Sequence, residues 1–406
     1  MLEKLKKLGI NTKSFWIVFS IIFVSNDTLL FGTNAKRSFF YLHIVILLFL
    51  FIYLCINSKW ITQKKVSVAL ILSFIMFTAM IFNQDNECIK YIYNIFMLFF
   101  SIVMVSSLKE NTFVNMFINV MYVLALFSIF LFIVGFLFNP IYKVAPYITN
   151  ESYLKYYFFG LGFLEDLPVG TIPRIYGIFR EPGVFSCYLT LALIFELFLK
   201  KRIEIKKVLV FVISSFVTFS TAAYILIVLC IILYLFKFIF IINIKEKKKM
   251  FRILIIIILF ILGSVGFVGR DNVDKLVFNK LYVENASRDS RFGSIETNIS
   301  IFLTNPIIGK GWKFVEKEFN SFSDGSMYTS THNTNTFLKL LAMYGLIPFS
   351  ILILLLCIFF KNQTGSFFYG VALSLIWIIA LSNEDFTVNL LLYILPFYGL
   401  NHIRFR

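Results

Sequence analysis

Charge is scarce in this sequence, and the residue clusters that metal and nucleotide enzymes use are missing. Of the 406 residues, 15% are Asp, Glu, Lys or Arg, and only 3 are histidines. The chain has no Asp-x-Asp pair of the kind that holds a metal with a nucleotide diphosphate, and no glycine loop that would cradle phosphate. It also has no His/Cys/Asp cluster with metal-site spacing. These absences argue against chemistry through a bound metal or nucleotide.

Cysteine is equally sparse, and its distribution excludes a disulfide framework. Four of the five cysteines fall within apolar runs, and none of them shows metal or disulfide spacing. The five are Cys55, Cys88, Cys187, Cys230 and Cys357. We expect them to act as packing residues.

What the chain has in abundance is apolar surface. Hydrophobic residues make up 59% of it and aromatic residues 19%. Continuous apolar runs of about 17–25 residues recur, which is the length that crosses a hydrocarbon core of about 30 Å. Because the runs do not alternate polar with apolar residues, the pattern argues against a membrane β-barrel. The composition predicts an all-α polytopic membrane protein.

Twelve spans are predicted. They lie at residues 14–32, 38–57, 66–83, 91–107, 113–138, 183–199, 207–221, 222–243, 252–269, 342–360, 366–382 and 387–401. The first run is broken by Asn26-Asp27 and lacks a cleavage site, so we interpret it as a retained helix and not a signal peptide. The pair 207–221 and 222–243 could be one helix, but the basic segments on both flanks, 200–207 and 244–252, belong on one side and require two crossings.

The net charge of +16 fits this arrangement without a nucleic-acid partner. Positive residues collect in cytoplasmic loops, and placing both termini inside puts the basic loops inside. Two long loops, 139–182 and 270–341, then fall outside, between helical segments 1–138, 183–269 and 342–406. Loops of this length are functional or disordered, and their aromatic, glycine and proline content favours order and function.

The first outer loop ends in RIYGIFREPG, residues 174–183. Arg174 and Arg180 lie beside a predicted helix N-terminus, where guanidinium groups can bind phosphate oxygens, although lipid headgroups could equally engage them. Pro182 suits the first turn of that helix. Glu181 is either a capping residue or a catalytic carboxylate.

The second outer loop carries two further candidates. Arg291 precedes an amphipathic pattern of apolar residues that predicts a helix lying against the bundle or the membrane interface. The pattern consists of Phe292, Ile295, Ile299, Phe302 and Leu303. His332 is the only histidine predicted outside, and an imidazole there could take a proton from a hydroxyl, although a lone histidine is more often structural.

Asp27 is a third kind of candidate, an acid within the outer part of the first span. A carboxylate within a membrane-spanning segment usually has a function or is paired with another polar group. The alternatives are that Asp27 lies at the interface or balances one of the outer arginines.

Together, the two loops resemble those of the O-antigen polymerase and O-antigen ligase superfamily of bacterial envelopes. The resemblance is carried by R-x-x-G-x-F-x-E-P at 174–182, and by an arginine followed by Asn-Pro-Ile-Ile-Gly-x-Gly at 305–311, His332-Asn333 and a helix with Gly345-Leu346-Ile347. It implies a fold like the GT-C glycosyltransferases and a metal-independent, inverting transfer of glycan from undecaprenyl diphosphate, without cofactor.

By this resemblance, Arg174, Arg180 and Arg291 would bind the diphosphate, with Arg288 a weaker candidate. His332 would be the general base, with Glu181 as a second candidate catalytic residue. The expected location is the bacterial inner membrane. The expected partners are lipid-linked donor and acceptor, membrane lipid, a chain-length-determining co-polymerase and a flippase.

Three activities are compatible with these motifs. The Glu181-Pro182 pair favours a Wzy-type repeat-unit polymerase, because ligases tend to have Pro-Asn there, although Gly183 stands where polymerases commonly have serine. The segment 218–221 lacks an arginine that ligase-like sequences often show, which again favours polymerase. A flippase is the rival from another class, but the notable charges lie in the loops and not at the bilayer midplane.

Overall fold

The structure is a computed structural model that describes residues 12–32, 37–58, 61–137, 144–149, 155–166, 174–241, 286–319, 321 and 333–403. For residues 37–40, 238–241 and 286–288 only the backbone is described. The predicted span 252–269, the basic segment 244–252 and His332 lie outside these ranges.

The described residues are predominantly helical, and the predicted fold class is confirmed. Helices α1 to α8 are Thr12–Phe23, Arg37–Asn57, Gln63–Phe82, Cys88–Ser107, Glu110–Leu137, Pro182–Ile194, Ile205–Val217 and Thr221–Ile241. Helices α9 to α14 are Ala286–Thr304, Gly311–Lys317, Thr336–Tyr344, Leu346–Thr364, Phe367–Leu381 and Leu391–Gly399. A π-helical turn, Phe195–Leu199, continues α6, and a 3-10 turn, Leu400–His402, follows α14.

Five of the described helical segments are long and apolar enough to cross a membrane: α3, α4, α5, α6 with its π-helical turn, and α12. Shorter apolar helices occupy Thr12–Phe23, Tyr41–Asn57, Thr221–Lys237 and Phe367–Leu381. The protein is therefore a multi-pass membrane protein by the length and composition of its helices.

Three predicted spans differ from the observed helices. The first ends at Phe23 and not at residue 32, because Ser25 competes for the backbone: its hydroxyl accepts from the Asp27 amide at 3.4 Å. The tenth is interrupted at Gly345, so that α11 and α12 replace one helix. The twelfth begins only at Leu391, after a series of turns.

The division of 207–243 into two helices is confirmed, with α7 ending at Val217 and α8 beginning at Thr221. Phe219 between them has φ +50°, which a continuing helix does not allow. The Thr218 hydroxyl donates to the Ser215 carbonyl and accepts from the Ser220 amide. The hydroxyl residues thus satisfy backbone groups at the break.

The first outer loop contains a small antiparallel sheet. Its strands, β1 Tyr147–Thr149, β2 Lys155–Phe158 and β3 Phe163–Glu165, pair in chain order. One face of the sheet packs Tyr157 and Leu164 against Leu131 of α5. The loop is therefore ordered where it is described, and it is attached to the end of a long helix.

The chain divides into two compact units. Unit 1 comprises Met1–Phe19, Thr28–Arg37 and Val114–Val283, and unit 2 comprises Ser20–Asp27, Ser38–Phe113 and Glu284–Arg406. The candidate residues divide accordingly. Arg174, Arg180 and Glu181 belong to unit 1, whereas Asp27 and Arg291 belong to unit 2.

Within unit 2, loops expected on one side of the membrane contact each other. At the predicted inner end, Glu110 accepts from Gln363 at 2.5 Å and pairs with His402 at 2.8 Å. At the predicted outer end, Lys339 contacts Asp385 at 2.8 Å. The assignment of the cytoplasmic side stays a prediction from the basic loops.

Unit 2 also contains a close backbone crossing between residues 306–311 and the junction of α11 with α12. The Lys310 amide donates to the Ala342 carbonyl at 2.8 Å, and the Leu346 amide donates to the Pro306 carbonyl at 2.9 Å. At Gly345, which has φ +78°, a Cβ atom would lie 2.1 Å from the Ile307 carbonyl oxygen. Only glycine fits such a position, because both the conformation and the space exclude a side chain.

Alanine at Gly345 should therefore destabilise the protein far more than alanine at Gly365. Gly365 has φ +72°, but a Cβ atom at that position would meet nothing within 4 Å, so Gly365→Ala measures only the cost of the left-handed backbone conformation, about 1–2 kcal/mol. Gly345→Ala adds a clash with backbone. The midpoint of thermal unfolding in detergent should fall much further for Gly345→Ala than for Gly365→Ala, and equal midpoints would contradict the close backbone contact at Gly345.

Candidate active site

The motif at 174–182 is held in unit 1 by backbone pairing and by the start of α6. Phe179 forms an antiparallel bridge with Thr28, and the Leu29 amide donates to the Ile178 carbonyl at 2.9 Å. Pro182 occupies the first turn of α6, as predicted, where its missing amide hydrogen is not needed. These contacts give the backbone of residues 178–182 a defined position in unit 1.

Arg174 lies at the break between α7 and α8. Its Nε donates to the Thr218 carbonyl at 3.1 Å and its Nη2 to the Phe219 carbonyl at 3.4 Å. Carbonyl groups at a helix C-terminus carry partial negative charge, which a guanidinium stabilises. Arg174 therefore has a described structural partner, and the sequence alone did not suggest it.

Glu181 and Arg180 differ in exposure. Arg180 is buried, with 9% of its surface exposed, whereas Glu181 is exposed. Glu181 holds the N-cap position of α6 with an extended backbone, but its side chain makes no capping hydrogen bond. The capping interpretation of its carboxylate is therefore not supported, and Glu181 faces the surroundings.

A carboxylate and phenol cluster, not anticipated from the sequence, surrounds Tyr176. The Tyr176 hydroxyl donates to a Glu165 carboxylate oxygen, and the ring meets Tyr156 edge-on at 5.7 Å. Burial raises the pKa of Tyr156 to about 12, assisted by the negative charges of Glu165 and Glu181. Glu165 thus contacts Tyr176 directly, and Tyr176 packs on Tyr156.

In unit 2, α9 presents a polar face to the protein. Ser294, Thr297 and Asn298 are almost completely buried. Asn298 and Asn333 exchange amide hydrogen bonds at 2.8 and 2.9 Å. The Thr334 amide donates to the Ser294 hydroxyl at 3.2 Å. The segment that follows His332 is thus docked on α9.

This contact bears on two predicted site residues. Arg291 is partly buried and precedes Ser294 by one helical turn, a rise of about 4.5 Å. Arg288 lies one further turn toward the N-terminus, and only its backbone is described. His332 itself lies outside the described residues, but the residues directly after it contact the helix of Arg291.

The Asn-Pro-Ile-Ile-Gly-x-Gly segment has a structural explanation. Gly309 and Gly311 both have positive φ, and a Cβ on Gly311 would lie 2.7 Å from an Asp85 carboxylate oxygen. Asp85 accepts from the Lys313 amide at 2.8 Å and from the Tyr91 hydroxyl at 3.0 Å. The glycines thus allow the chain to pass Asp85 and to begin α10 there.

Next to this segment lies an ion network, defined here as Lys339, Glu316, Asp385 and Lys90. The buried Lys339 ammonium contacts Glu316 at 3.1 Å and Asp385 at 2.8 Å. Lys90 reaches the other Glu316 oxygen. Both lysines lie over the Trp312 ring, at 5.4 Å for Lys90 and 5.1 Å for Lys339. The network joins α4, α10, α11 and the loop before α14.

The network shifts the protonation equilibria of its members. Burial alone would lower the pKa of Lys339, but the charges of Asp385 and Glu316 raise it above its usual value. Burial alone would raise the pKa of Asp385, but Lys339 and two hydrogen bonds from Thr387 lower it to about 2. Both groups are therefore charged at neutral pH.

Sequence reasoning missed the ion network and Asp85. A lone lysine in the apolar run TFLKLLAMY was a usable signal, since such a charge requires a partner.

Asp27 is buried, and its carboxylate accepts from the Asn389 side chain. This contact agrees with the interpretation of Asp27 as a paired group.

Fold and site together define a multi-pass helical membrane protein with charged, ordered segments between its helices. A family model described as O-antigen ligase matches residues 207–353. The match includes Arg288, Arg291 and the 305–311 segment, and it begins after Arg174 and Arg180. No match to a curated protein or to a solved structure was found.

The family match supports the resemblance to the O-antigen ligase and polymerase superfamily, and does not distinguish between the two activities. It supports a membrane enzyme of lipopolysaccharide or other polysaccharide assembly.

Lys339→Met should lower the free energy of unfolding by roughly 3–5 kcal/mol, because it leaves two carboxylates without their buried cation. Lys90→Met is the matched control. Lys90 shares Glu316 and Trp312, but its side chain is 40% exposed. It should cost about 0–1 kcal/mol. Denaturant unfolding in detergent measures both, and equal losses would contradict the central place of Lys339.

The network should also make stability depend on acid. Because the pKa of Asp385 is lowered to about 2 in the folded protein, its contribution is complete above its unfolded pKa, about 3.9, and is lost as pH falls toward 2. The thermal midpoint should decline across this window. Asp385→Asn should lower the midpoint at neutral pH and flatten the decline, and an unchanged slope would refute the assignment.

Proposed function

We propose that this protein is a polysaccharide polymerase that joins undecaprenyl-diphosphate-linked repeat units at the periplasmic face of the bacterial inner membrane. The reaction is an inverting, metal-independent glycosyl transfer. The growing chain is the donor, and the acceptor is a sugar hydroxyl of the next lipid-linked unit. The proposal places both termini in the cytoplasm and the loops 139–182 and 270–341 in the periplasm.

The observation that carries the proposal is the docking of 333–334 on α9. Arg291 and His332 are separated by a long stretch of sequence, yet the residues after His332 hydrogen bond within two turns of Arg291. A side chain that binds the diphosphate and a general base that deprotonates the acceptor must lie within a few ångströms of the same reacting atoms. The contact supports their assignment to one site.

In the proposed mechanism, Arg291 binds the donor diphosphate and stabilises the negative charge that develops as the anomeric C–O bond breaks. The acceptor hydroxyl attacks the anomeric carbon from the opposite face, and His332 takes its proton. Undecaprenyl diphosphate leaves, and the new glycosidic bond inverts the configuration. Arg288, one turn before Arg291, extends the positive charge along α9.

Arg174, Arg180 and Glu181 are proposed to act in the same reaction. Arg180 is buried just before the N-terminus of α6, where its positive charge and the helix dipole both favour an anion. Arg174 contributes charge while it holds the break between α7 and α8. Glu181 is exposed and is proposed to contact sugar hydroxyls or to assist His332.

Ligase activity is the second candidate, because the family match described as O-antigen ligase is compatible with both activities. In that reaction the acceptor is a sugar of the lipid A core. The Glu181-Pro182 pair favours polymerase. Transport of lipid-linked units by a flippase is a weaker third candidate. A flippase and a chain-length-determining co-polymerase are instead the proposed partners.

The profile of surface polysaccharide from cells lacking the gene separates these candidates. A ladder that collapses to acceptor plus one repeat unit indicates polymerase. Loss of every glycan-bearing band, with long polymer retained on the lipid carrier, indicates ligase. An unchanged ladder would contradict both, and repeat units trapped on the cytoplasmic side would indicate transport.

Arg291→Ala should lower polymer yield by about 10²–10³, the usual cost of removing a group that stabilises transition-state charge. Arg291→Lys should recover part of it, because a lysine keeps the charge but not the bidentate geometry. Arg202→Ala, at an exposed arginine between α6 and α7, is the control and should leave the ladder intact. Wild-type ladders for both Arg291→Ala and His332→Ala, at normal protein level, would contradict the site.

A further inference from the structure

We propose that α9 lies in the membrane–water interface, with one apolar strip inserted among lipid acyl chains. The apolar strip consists of Phe292, Ile295, Ile299 and Leu303, whose exposed fractions are 50%, 37%, 40% and 68%. This places part of the second outer loop in contact with the bilayer. The inference concerns a lipid surface and does not depend on the reaction.

The first argument is the inverted polarity of α9. The face that packs against the protein is mainly polar: Ser294, Thr297 and Asn298 are buried there, together with one apolar residue, Ile301. With 3.6 residues per turn, the strip covers an arc of about 80° on the exposed side. An α-helix at a water-exposed surface shows the reverse pattern, apolar inward and polar outward. Lipid is the environment in which an outward apolar arc is stable.

The second argument is a polar strip beside the apolar one. Glu296, Ser300 and Thr304 are also exposed, and they follow the neighbouring arc of the helix. One exposed edge of α9 therefore suits lipid, and the adjacent edge suits water. This division is typical of helices that lie in the interface plane, and a membrane-spanning helix would be apolar all round.

The third argument is continuity with a spanning helix. After Leu303 the exposed apolar surface continues through Ile307, which is 65% exposed. The Leu346 amide donates to the Pro306 carbonyl, so Ile307 adjoins the start of α12. There Ile347 is 48% exposed, and Leu354, on the same face of this candidate membrane span, is 60% exposed. The strip thus joins the lipid-facing surface of α12.

Arg291 gains a defined position from this arrangement. On the helical wheel it falls between the buried polar face, at Asn298, and the apolar strip, at Ile295. A guanidinium at this border would lie at the level of lipid headgroups.

The test measures lipid contact at successive positions of α9. Single reporter cysteines at Ile295, Ile299 and Leu303 are compared with Glu296, Ser300 and Thr304, all labelled with a small fluorophore. The exposed Cys88 and the partly exposed Cys55 and Cys357 are replaced by serine, whereas Cys187 and Cys230 are buried and can stay. The full chain is reconstituted in phosphatidylethanolamine and phosphatidylglycerol vesicles, with and without lipid carrying an acyl-chain nitroxide.

We expect nitroxide to quench the apolar-strip positions several-fold more strongly than the polar-strip positions, and aqueous iodide to show the opposite order. Equal quenching at all six positions, or preferential iodide quenching of the apolar strip, would overturn the proposal. Protection of the apolar strip from both quenchers would also overturn it, because protein would then cover the strip. None of these readouts requires enzymatic activity, so failure of the proposed function would leave them unchanged.

A matched pair of charge substitutions provides a second readout. Ile299→Lys places an ammonium in the apolar strip, and Ser300→Lys places it in the polar strip of the same turn. Nitroxide quenching from a reporter at Leu303 should drop only in the Ile299→Lys background. If both substitutions lower it equally, the helix does not insert by this strip.

Discussion

The backbone crossing of residues 306–311 over the junction of α11 and α12 is the constraint on which unit 2 depends. Its two hydrogen bonds join segments whose glycines leave no room for a Cβ atom. From this crossing the chain runs back to α9 and forward to α10. It therefore sets both the position of Arg291 and the position of Trp312, around which the ion network is arranged.

The charged groups of the two units have different roles. In unit 1, Arg174 satisfies carbonyls at a helix break, which matters because buried backbone groups without a hydrogen-bond partner are costly. In unit 2, the buried Lys339 joins α11 to α10 and to the loop before α14, and Lys90 adds α4 to the ion network. Arg291 is not part of the ion network and lies between the buried polar face and the exposed apolar strip of α9, and we propose that it binds the donor diphosphate there.

The sequence predicted the all-α fold and most of the described long helices, because continuous apolar runs report directly on membrane spans. The basic segments on both flanks also predicted that 207–243 forms two helices, and the apolar spacing identified the amphipathic pattern of α9. The sequence could not assign the role of Arg174, because carbonyl partners at 218 and 219 are invisible in a residue pattern. The break at Gly345 was missed, since glycine in an apolar run is common in spanning helices, and only its contact with Ile307 shows why it is needed.

The most direct test of the account is glycosyl transfer by the purified protein in vesicles that contain only polyprenyl-diphosphate-linked repeat unit, with EDTA present. We predict a ladder of lipid-linked products that grows by whole repeat units, together with release of polyprenyl diphosphate, and loss of both in Arg291→Ala. Absence of any new glycosidic bond from an active, folded preparation would contradict the account. Movement of intact repeat units across the vesicle membrane without bond formation would show that the protein is a transporter and not a polymerase.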